Sequence, residues 1–420
     1  MKKNFLVTMA LLALFGCARL PIKERTEAMR KAEYVPEIND DLDYENLISG
    51  VLANADFIEK SSRVSDEMVF GKTTVNKKIY VLSLRNLIAE SDRKDIFIAN
   101  VKSNFDFYEV YGAEDWSKIK ATSYYSPLLK GSKSKTKKFS QPLYLTPKDL
   151  LVIDVDAFAE AYPKWKNFKE QIILQKSGRV LTKARLVEEK NSLSRIVPYY
   201  KREDIDASNS LKDKSLIIAY VDPIDSFFLQ IQGSGIIEMQ NGTRFTVGYA
   251  NQNGHPYVAI GSLLLDKIPK ERMTMQNLQI YLRSLPVDEM QKILNKNPSY
   301  VFFQKIESKP VAYLGTEVVD GRTVATDNEL FPKGSLAFLE YEKPIFETDQ
   351  SVDPSGWQKS SRFVLDQDTG GAIKGPGRLD LYAGSGKRAE QFAGVMKNPA
   401  RLYYLVPKPE YIIKLAKQLR

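Results

Sequence analysis

At 420 residues, 43% hydrophobic and 11% aromatic, the chain is long and apolar enough to bury two cores, which excludes a disordered or fibrous class. A formal charge of +9 points to an anionic partner, but nucleic acid is a poor fit: the basic residues are spread, and the densest cluster, Lys130-Gly-Ser-Lys-Ser-Lys-Thr-Lys-Lys138, lacks interleaved aromatics and reads as a solvated loop. With Cys17 as the one cysteine, no disulfide within the chain is possible.

In chain order, Lys2-Lys3, the apolar run from Phe5 to Phe15 and Leu14-Phe-Gly-Cys17 read as a lipoprotein signal peptide over residues 1–17. The run is too short to span a bilayer, and Gly16 suits cleavage before Cys17, which would then carry the lipid. Such an anchor holds a protein on a membrane without crossing it. Ala18, rather than Asp, after the cysteine gives the expectation of an outer-membrane address facing the periplasm. Residues 18–45 are polar, with Glu37, Asp40, Asp41 and Asp43 close together, and are expected to form a tether.

From Leu42 to Lys60, and around Tyr80, Leu84, Leu87 and Ile88, apolar residues recur at helical spacing and predict helical scaffold. From about Ser126 to Leu265 the pattern is strand-like: Leu216 to Val221, Phe227 to Ile231, and a hairpin at Asn241-Gly242 followed by Phe245, Val247 and Tyr249 alternating as in a half-buried strand. Thr274 is a candidate N-cap and Pro286 a break between two short helices within 274–295. Strands resume from about Val311 to Val406. Pro409 to Arg420 reads as an amphipathic helix with Ile412, Ile413, Leu415, Ala416 and Leu419 apolar.

The stretch Asp366-Gln-Asp-Thr-Gly-Gly-Ala-Ile-Lys-Gly-Pro-Gly-Arg-Leu-Asp-Leu-Tyr382 sets acids and a lysine in a glycine-rich segment flanked by the strand-like Phe363-Val364-Leu365, Leu379 and Leu381. Asp380, among apolar residues, is expected to be partly desolvated, which favours the neutral acid. Read alone, Asp366, Asp368 and Asp380 are better taken as turn caps, as most loop aspartates are.

This stretch resembles the C-terminal signature of the membrane-bound lytic murein transglycosylase A family, a DxGGAIKG run followed by an Asp. Other segments match in the same order: Ala121-Thr-Ser-Tyr-Tyr-Ser-Pro127, with Ser123 where the family has glycine; Asp225-Ser-Phe-Phe-Leu-Gln-Ile-Gln-Gly-Ser-Gly235; Gly248-Tyr-Ala-Asn-Gln-Asn-Gly-His-Pro-Tyr257; Asn297-Pro-Ser-Tyr-Val-Phe-Phe303; and Gly321-Arg-Thr-Val-Ala-Thr-Asp327. The resemblance covers about residues 120 to 405, and ordered motifs are far more specific than one glycine loop.

The resemblance implies a mainly β fold with helical sections: a double-psi β-barrel domain from 46–125 plus 306–420, a second β-rich domain inserted at 126–305, and a groove between them. It implies a peptidoglycan lytic exotransglycosylase, a carbon–oxygen lyase, although the residues themselves do not distinguish chain-end from internal cleavage. The β-1,4 bond between N-acetylmuramic acid and N-acetylglucosamine would be cleaved without water, leaving a 1,6-anhydro end. By the same resemblance Asp380 is the single acid then base, with Asp327 and Asp368 tuning it or holding the loop. Thr122, Tyr124 and Tyr125, at the crossing between domains, are expected either to line the groove or to pack the junction. Gln230, Gln232, Gly233 and Ser234 read as a polar strand end reaching the groove, with Phe227, Phe228 and Leu229 in the core. Lys374 could oppose the shift of Asp380, bind a substrate carboxylate or simply be exposed.

His255 reads as a turn residue rather than a catalyst. No cofactor is implied; the three aspartates could bind a cation by ligand type, but their spacing resembles no calcium loop and the family needs no metal. Partners are then peptidoglycan strands and, through Cys17, a membrane. Two alternatives stay open: a hydrolase using Asp327 or Asp368 as a second carboxylate, and a glycan-binding lipoprotein without catalysis.

Overall fold

The computed structural model describes residue 22 and residues 24–112, 116–166, 181–189, 193–207, 210–306, 310–371 and 373–419. Residues 1–17, read above as a signal peptide ending at Cys17, lie outside them.

A short strand β1 (Met29–Lys31) is followed by helix α1 (Leu47–Lys60), which buries Leu47, Val51, Ala55 and Ile58 at 3–4-residue spacing. The hairpin β2 (Glu67–Phe70) and β3 (Thr73–Asn76) leads into α2 (Lys77–Ala89), whose cap Asn76 accepts from the Lys78 amide at 3.0 Å. Then come α3 (Lys94–Asn104), β4 (Phe105–Val110) and β5 (Ile119–Ser126). The middle of the chain holds β6 (Leu128–Ser132), β7 (Gln141–Tyr144), β8 (Leu151–Asp154), α4 (Val155–Ala161), β9 (Leu181–Val187), β10 (Arg195–Pro198), α5 (Arg202–Ala207), β11 (Ile217–Val221) and α6 (Pro223–Gln232).

After α6, β12 (Ser234–Met239) and β13 (Arg244–Gln252) meet at the expected hairpin, with Gly242 at φ +81°. Thr274 does cap α7 (Met275–Ser284), accepting from the Asn277 amide at 3.2 Å, and Pro286 precedes α8 (Val287–Leu294). The remainder is β14 (Val301–Ile306), β15 (Thr323–Ala325), β16 (Ser335–Ile345), β17 (Gly356–Asp368), β18 (Arg378–Ser385), α9 (Lys387–Val395), β19 (Pro399–Pro407) and α10 (Pro409–Gln418). On α10, Tyr411 and Leu415 are buried, whereas Ile413 and Leu419 face solvent, so the apolar stripe is narrower than the sequence pattern.

Two larger sheets organise the chain. The first runs β1-β4-β19-β16-β17-β15-β18-β5, and an extra pairing of Pro399 and Ala400 with Lys120 and Ile119 joins β19 back to β5. Strands β19, β16, β17, β15, β18 and β5 therefore close a six-stranded ring, the barrel, around Val324, Leu336, Phe338, Val364, Leu379 and Leu381. The second sheet runs β14-β13-β12-β6-β11-β7 over a separate core of Leu143, Val221, Leu229, Ile237, Val247 and Phe303, and β10-β9-β8 form a small third sheet. The fold is mainly β with helices and a barrel, as expected.

Two expectations are corrected. The segment Phe227 to Ile231 is helical: Asp222 caps α6 by accepting from the Ile224 and Asp225 amides at 3.0 Å each, Pro223 occupies its first turn, and Gly233 at φ +79° ends it. The apolar run Phe227-Phe228-Leu229 hid the period because neighbouring sides of the helix pack on different cores. The described part of the 18–45 tether is anchored to the barrel domain at a few points, although Tyr34 and Val35 stay exposed. Strand β1 pairs with β4, Asp40 forms a two-pronged ion pair with fully buried Arg322 at 2.9 and 3.0 Å, and Asp41 does the same with Arg362 at 2.6 Å on both prongs. Asp40 and Asp41 neutralise buried guanidiniums, and against the effect of burial the Arg362 and Lys343 charges hold the Asp41 carboxyl below its ordinary range.

Candidate functional site in the barrel wall and groove

Register places Thr122 on β5 opposite Asp380 on β18, Asp380 opposite Ala325 on β15, and Ala325 opposite Asp368 on β17. Two of the three predicted aspartates thus lie in one row across four adjacent strands, although Thr122 and Asp380 are far apart in sequence. Alternation does the rest: Leu379 and Leu381 point into the barrel core, so Asp380 and Tyr382 share the outer face.

Asp380 is half-buried, and its Oδ1 has no hydrogen-bond partner among the described residues. Burial pushes its carboxyl up to about 7; the Asp368 charge adds to the rise, while the Thr122 hydroxyl and the Arg378 charge oppose it. Asp368 has no such freedom. Its Oδ2 accepts from the Tyr124 hydroxyl at 2.7 Å, and its Oδ1 from the amides of Tyr313 at 2.8 Å and Thr369 at 2.9 Å. Burial still raises it, against those donors and the Lys333 charge. Beneath it, Lys333 is buried and donates to Asp366 Oδ1 at 2.7 Å, and Asp366 Oδ2 accepts from Thr326 and Tyr404.

Asp327 holds the loop. Its Oδ2 accepts from the Gly375 amide at 2.8 Å and its Oδ1 from the Glu329 amide at 3.1 Å, with the Lys374 ammonium 3.8 Å away. Gly375, at φ +79°, makes the left-handed turn that aims its amide there. Lys374 is therefore occupied with Asp327.

A groove of about 1380 Å³ lies between the barrel wall and the second sheet. Tyr124, Tyr382, Asp368 and the loop at Thr369 to Gly371 line one side; Gln230 to Ser234, Tyr249, Gln252 and Tyr257 line the other. Asp380 is not among the lining residues; it sits two residues along β18 from Tyr382, which is. Thr122 donates to the Leu379 carbonyl at 3.3 Å and does not line the groove. Tyr125 is buried and faces a second cavity of about 360 Å³, with Phe228, Asp225 and Lys387, rather than this groove.

The glutamines are structural as well as groove-lining. Gln230 Oε1 accepts from buried Arg202 at 2.8 Å and from the Val301 amide at 3.2 Å. Gln232 Oε1 accepts from the Tyr125 amide at 3.1 Å, and Ser126 bridges Ser234 and the Tyr382 hydroxyl at 3.5 and 2.8 Å. These contacts tie the second sheet to the barrel. His255 Nε2 lies 2.7 Å from the Tyr199 carbonyl, a structural use.

Sequence reasoning missed Arg63 and the exposed groove tyrosines. Tyr249, Tyr257 and Tyr313 are 50%, 53% and 40% exposed. Tyr249 was expected on the same half-buried face as Phe245 and Val247, but it is exposed and lines the groove. Such rings, with polar tips, suit stacking on sugars.

Known proteins resemble the chain throughout these regions. An MltA specific insert domain model matches residues 120–304 and a 3D domain model residues 322–406, well over half of the chain between them. Membrane-bound lytic murein transglycosylase A of Escherichia coli K12 is 27% identical over 309 residues, covering 72% of this chain and 70% of that protein. Its homolog from Buchnera aphidicola is 28% identical over 301 residues, covering 70% and 68%. Among solved structures, a membrane-bound lytic murein transglycosylase from Agrobacterium tumefaciens superposes with a TM-score of 0.68 at 23% identity, over 94% of this chain and all of that one. Escherichia coli MltA with bound chitohexaose gives 0.64 at 20%, over 92% and 98%. With both family models matched in order and the barrel and insert in place, the chain belongs to the membrane-bound lytic murein transglycosylase A family.

Proposed function

We propose that the protein is a lytic transglycosylase that cleaves the β-1,4 bond between N-acetylmuramic acid and N-acetylglucosamine without water, leaving 1,6-anhydro ends, with Asp380 as acid and then base. One observation carries this reading: the row holds a single carboxyl free to exchange a proton, raised to about 7, beside a carboxylate whose two oxygens are already taken. Asp380 in its neutral form protonates the bridging oxygen as positive charge develops on the sugar ring. As a carboxylate it then removes the proton from the sugar's own 6-hydroxyl, which attacks carbon one. A tethered nucleophile replaces water through proximity, so the second carboxylate that ordinary glycosidases need has no task here. Asp368 and Asp327 are too fully engaged to activate water. Tyr249, Tyr257 and Tyr313 offer stacking surfaces for the glycan, a role consistent with the bound chitohexaose of the Escherichia coli relative. In this reading the chain acts at the outer membrane, facing the periplasm and held there through Cys17.

The test is mass spectrometry of muropeptides released from purified sacculi by the chain lacking residues 1–17, beside Asp380→Asn. Anhydro-ended products that vanish in the variant are the expected result. Reducing-end products would move the assignment to a hydrolase, and sacculus binding without release to a binding module.

A further inference from the structure

Among the described residues that line the groove, Arg63 is the one permanent cation, and Asp368 is the one carboxylate. Arg63 follows α1 and is exposed. It donates to the Tyr313 carbonyl and stacks over the Tyr313 ring with its guanidinium carbon 5.8 Å from the centroid. The Tyr313 amide in turn donates to Asp368 at 2.8 Å, so the guanidinium is fixed to the same short segment that fixes the aspartate row. No acidic side chain is within ion-pair distance of Arg63 among the described residues, so a hydrogen-bonding guanidinium edge is left for a ligand.

Resting on the transglycosylase reading above, we propose that Arg63 makes the groove select glycan bearing a carboxylate over neutral glycan. A planar guanidinium recognises a carboxylate through two parallel hydrogen bonds, a match that neutral N-acetylglucosamine polymers cannot supply. Murein offers that carboxylate from two sources. In strands without peptide it is the lactyl ether of muramic acid; in peptide-bearing strands the lactyl group is an amide and the charge sits on the stem.

The experiment measures binding by calorimetry on the Asp380→Asn chain, with and without Arg63→Gln, at low ionic strength. Three ligands of equal glycan length are used: chitohexaose, a stem-free strand of alternating muramic acid and glucosamine sugars, and a stem-bearing strand. The expected result is a preference of about tenfold for a carboxylate-bearing strand over chitohexaose, roughly 1.4 kcal/mol, abolished by Arg63→Gln while chitohexaose affinity is unchanged. The strand that shows the preference identifies the source. Equal loss on all three ligands would overturn the assignment, because it would mean that Arg63 only supports Tyr313. Chitohexaose binding with no preference for either strand would overturn this assignment alone, whereas no binding to any ligand would overturn the transglycosylase reading with it.

Discussion

Asp380→Asn should stabilise the folded chain, and by an amount that depends on pH. In the folded state the carboxyl is raised to about 7 from an ordinary 3.8, so between those values the native state binds a proton that the unfolded state has released. Stability from this group is intact below pH 4 and is lost as pH climbs toward 7. At 1.36 kcal/mol per unit, the loss approaches about 4 kcal/mol at and above neutrality. Asparagine imitates the neutral acid and removes the cost. Urea unfolding of both proteins at steps from pH 4 to 8 should therefore show no difference at the acid end and a variant more stable by about 2–4 kcal/mol at the alkaline end, the lower figure allowing for the part of the side chain that water still reaches. A difference that stays flat across that range would refute the raised carboxyl and, with it, the argument that this acid carries a proton at working pH.

The same carboxyl should set an alkaline limb in glycan cleavage, with activity halved near pH 7 and falling tenfold per unit beyond it, read from anhydro-product release at fixed times. Asp368→Asn removes a negative charge that helps raise Asp380, so that limb should move to lower pH; an unmoved limb would show the two groups to be uncoupled. Asp368→Ala also orphans the Tyr124 hydroxyl and two amides, and should cost about 2–4 kcal/mol in urea unfolding. Asp40→Ala strands the buried Arg322 guanidinium and should cost about 3–5 kcal/mol, detaching the N-terminal segment to protease first. Gly375→Ala meets open space but a φ of +79°, so its cost should be about 1–2 kcal/mol from backbone strain alone, with weaker holding of the Asp327 loop seen as slower cleavage.

Local elements were legible where side chains follow one period or one cap: α1, the Asn241-Gly242 hairpin, the Thr274 cap and the Pro286 break could each be read from a few neighbours. The strands flanking the glycine-rich stretch were legible for the same reason. The row was not, because Thr122, Asp380, Ala325 and Asp368 meet only through two parallel pairings and one antiparallel pairing between segments distant in sequence. Helix α6 was hidden by apolar residues on adjoining faces, and the N-terminal acids by partners about 280 residues or more away in Arg322 and Arg362. Arg63 carries no sequence signal at all: an arginine after a helix is ordinary until Tyr313 is placed beside it.

The six-stranded ring imposes an order of events on the assembly of the aspartate row. Thr122 enters before the inserted sheet, Asp380 long after it, and the ring shuts only when β19 reaches back to Lys120 and Ile119. Contacts of such wide sequence separation form late and slowly. A chain cut short before residue 399 leaves the ring unclosed, with β16 and β5 as open edges on either side of the strands that carry the aspartates. The ring is thus closed by the last strand to arrive.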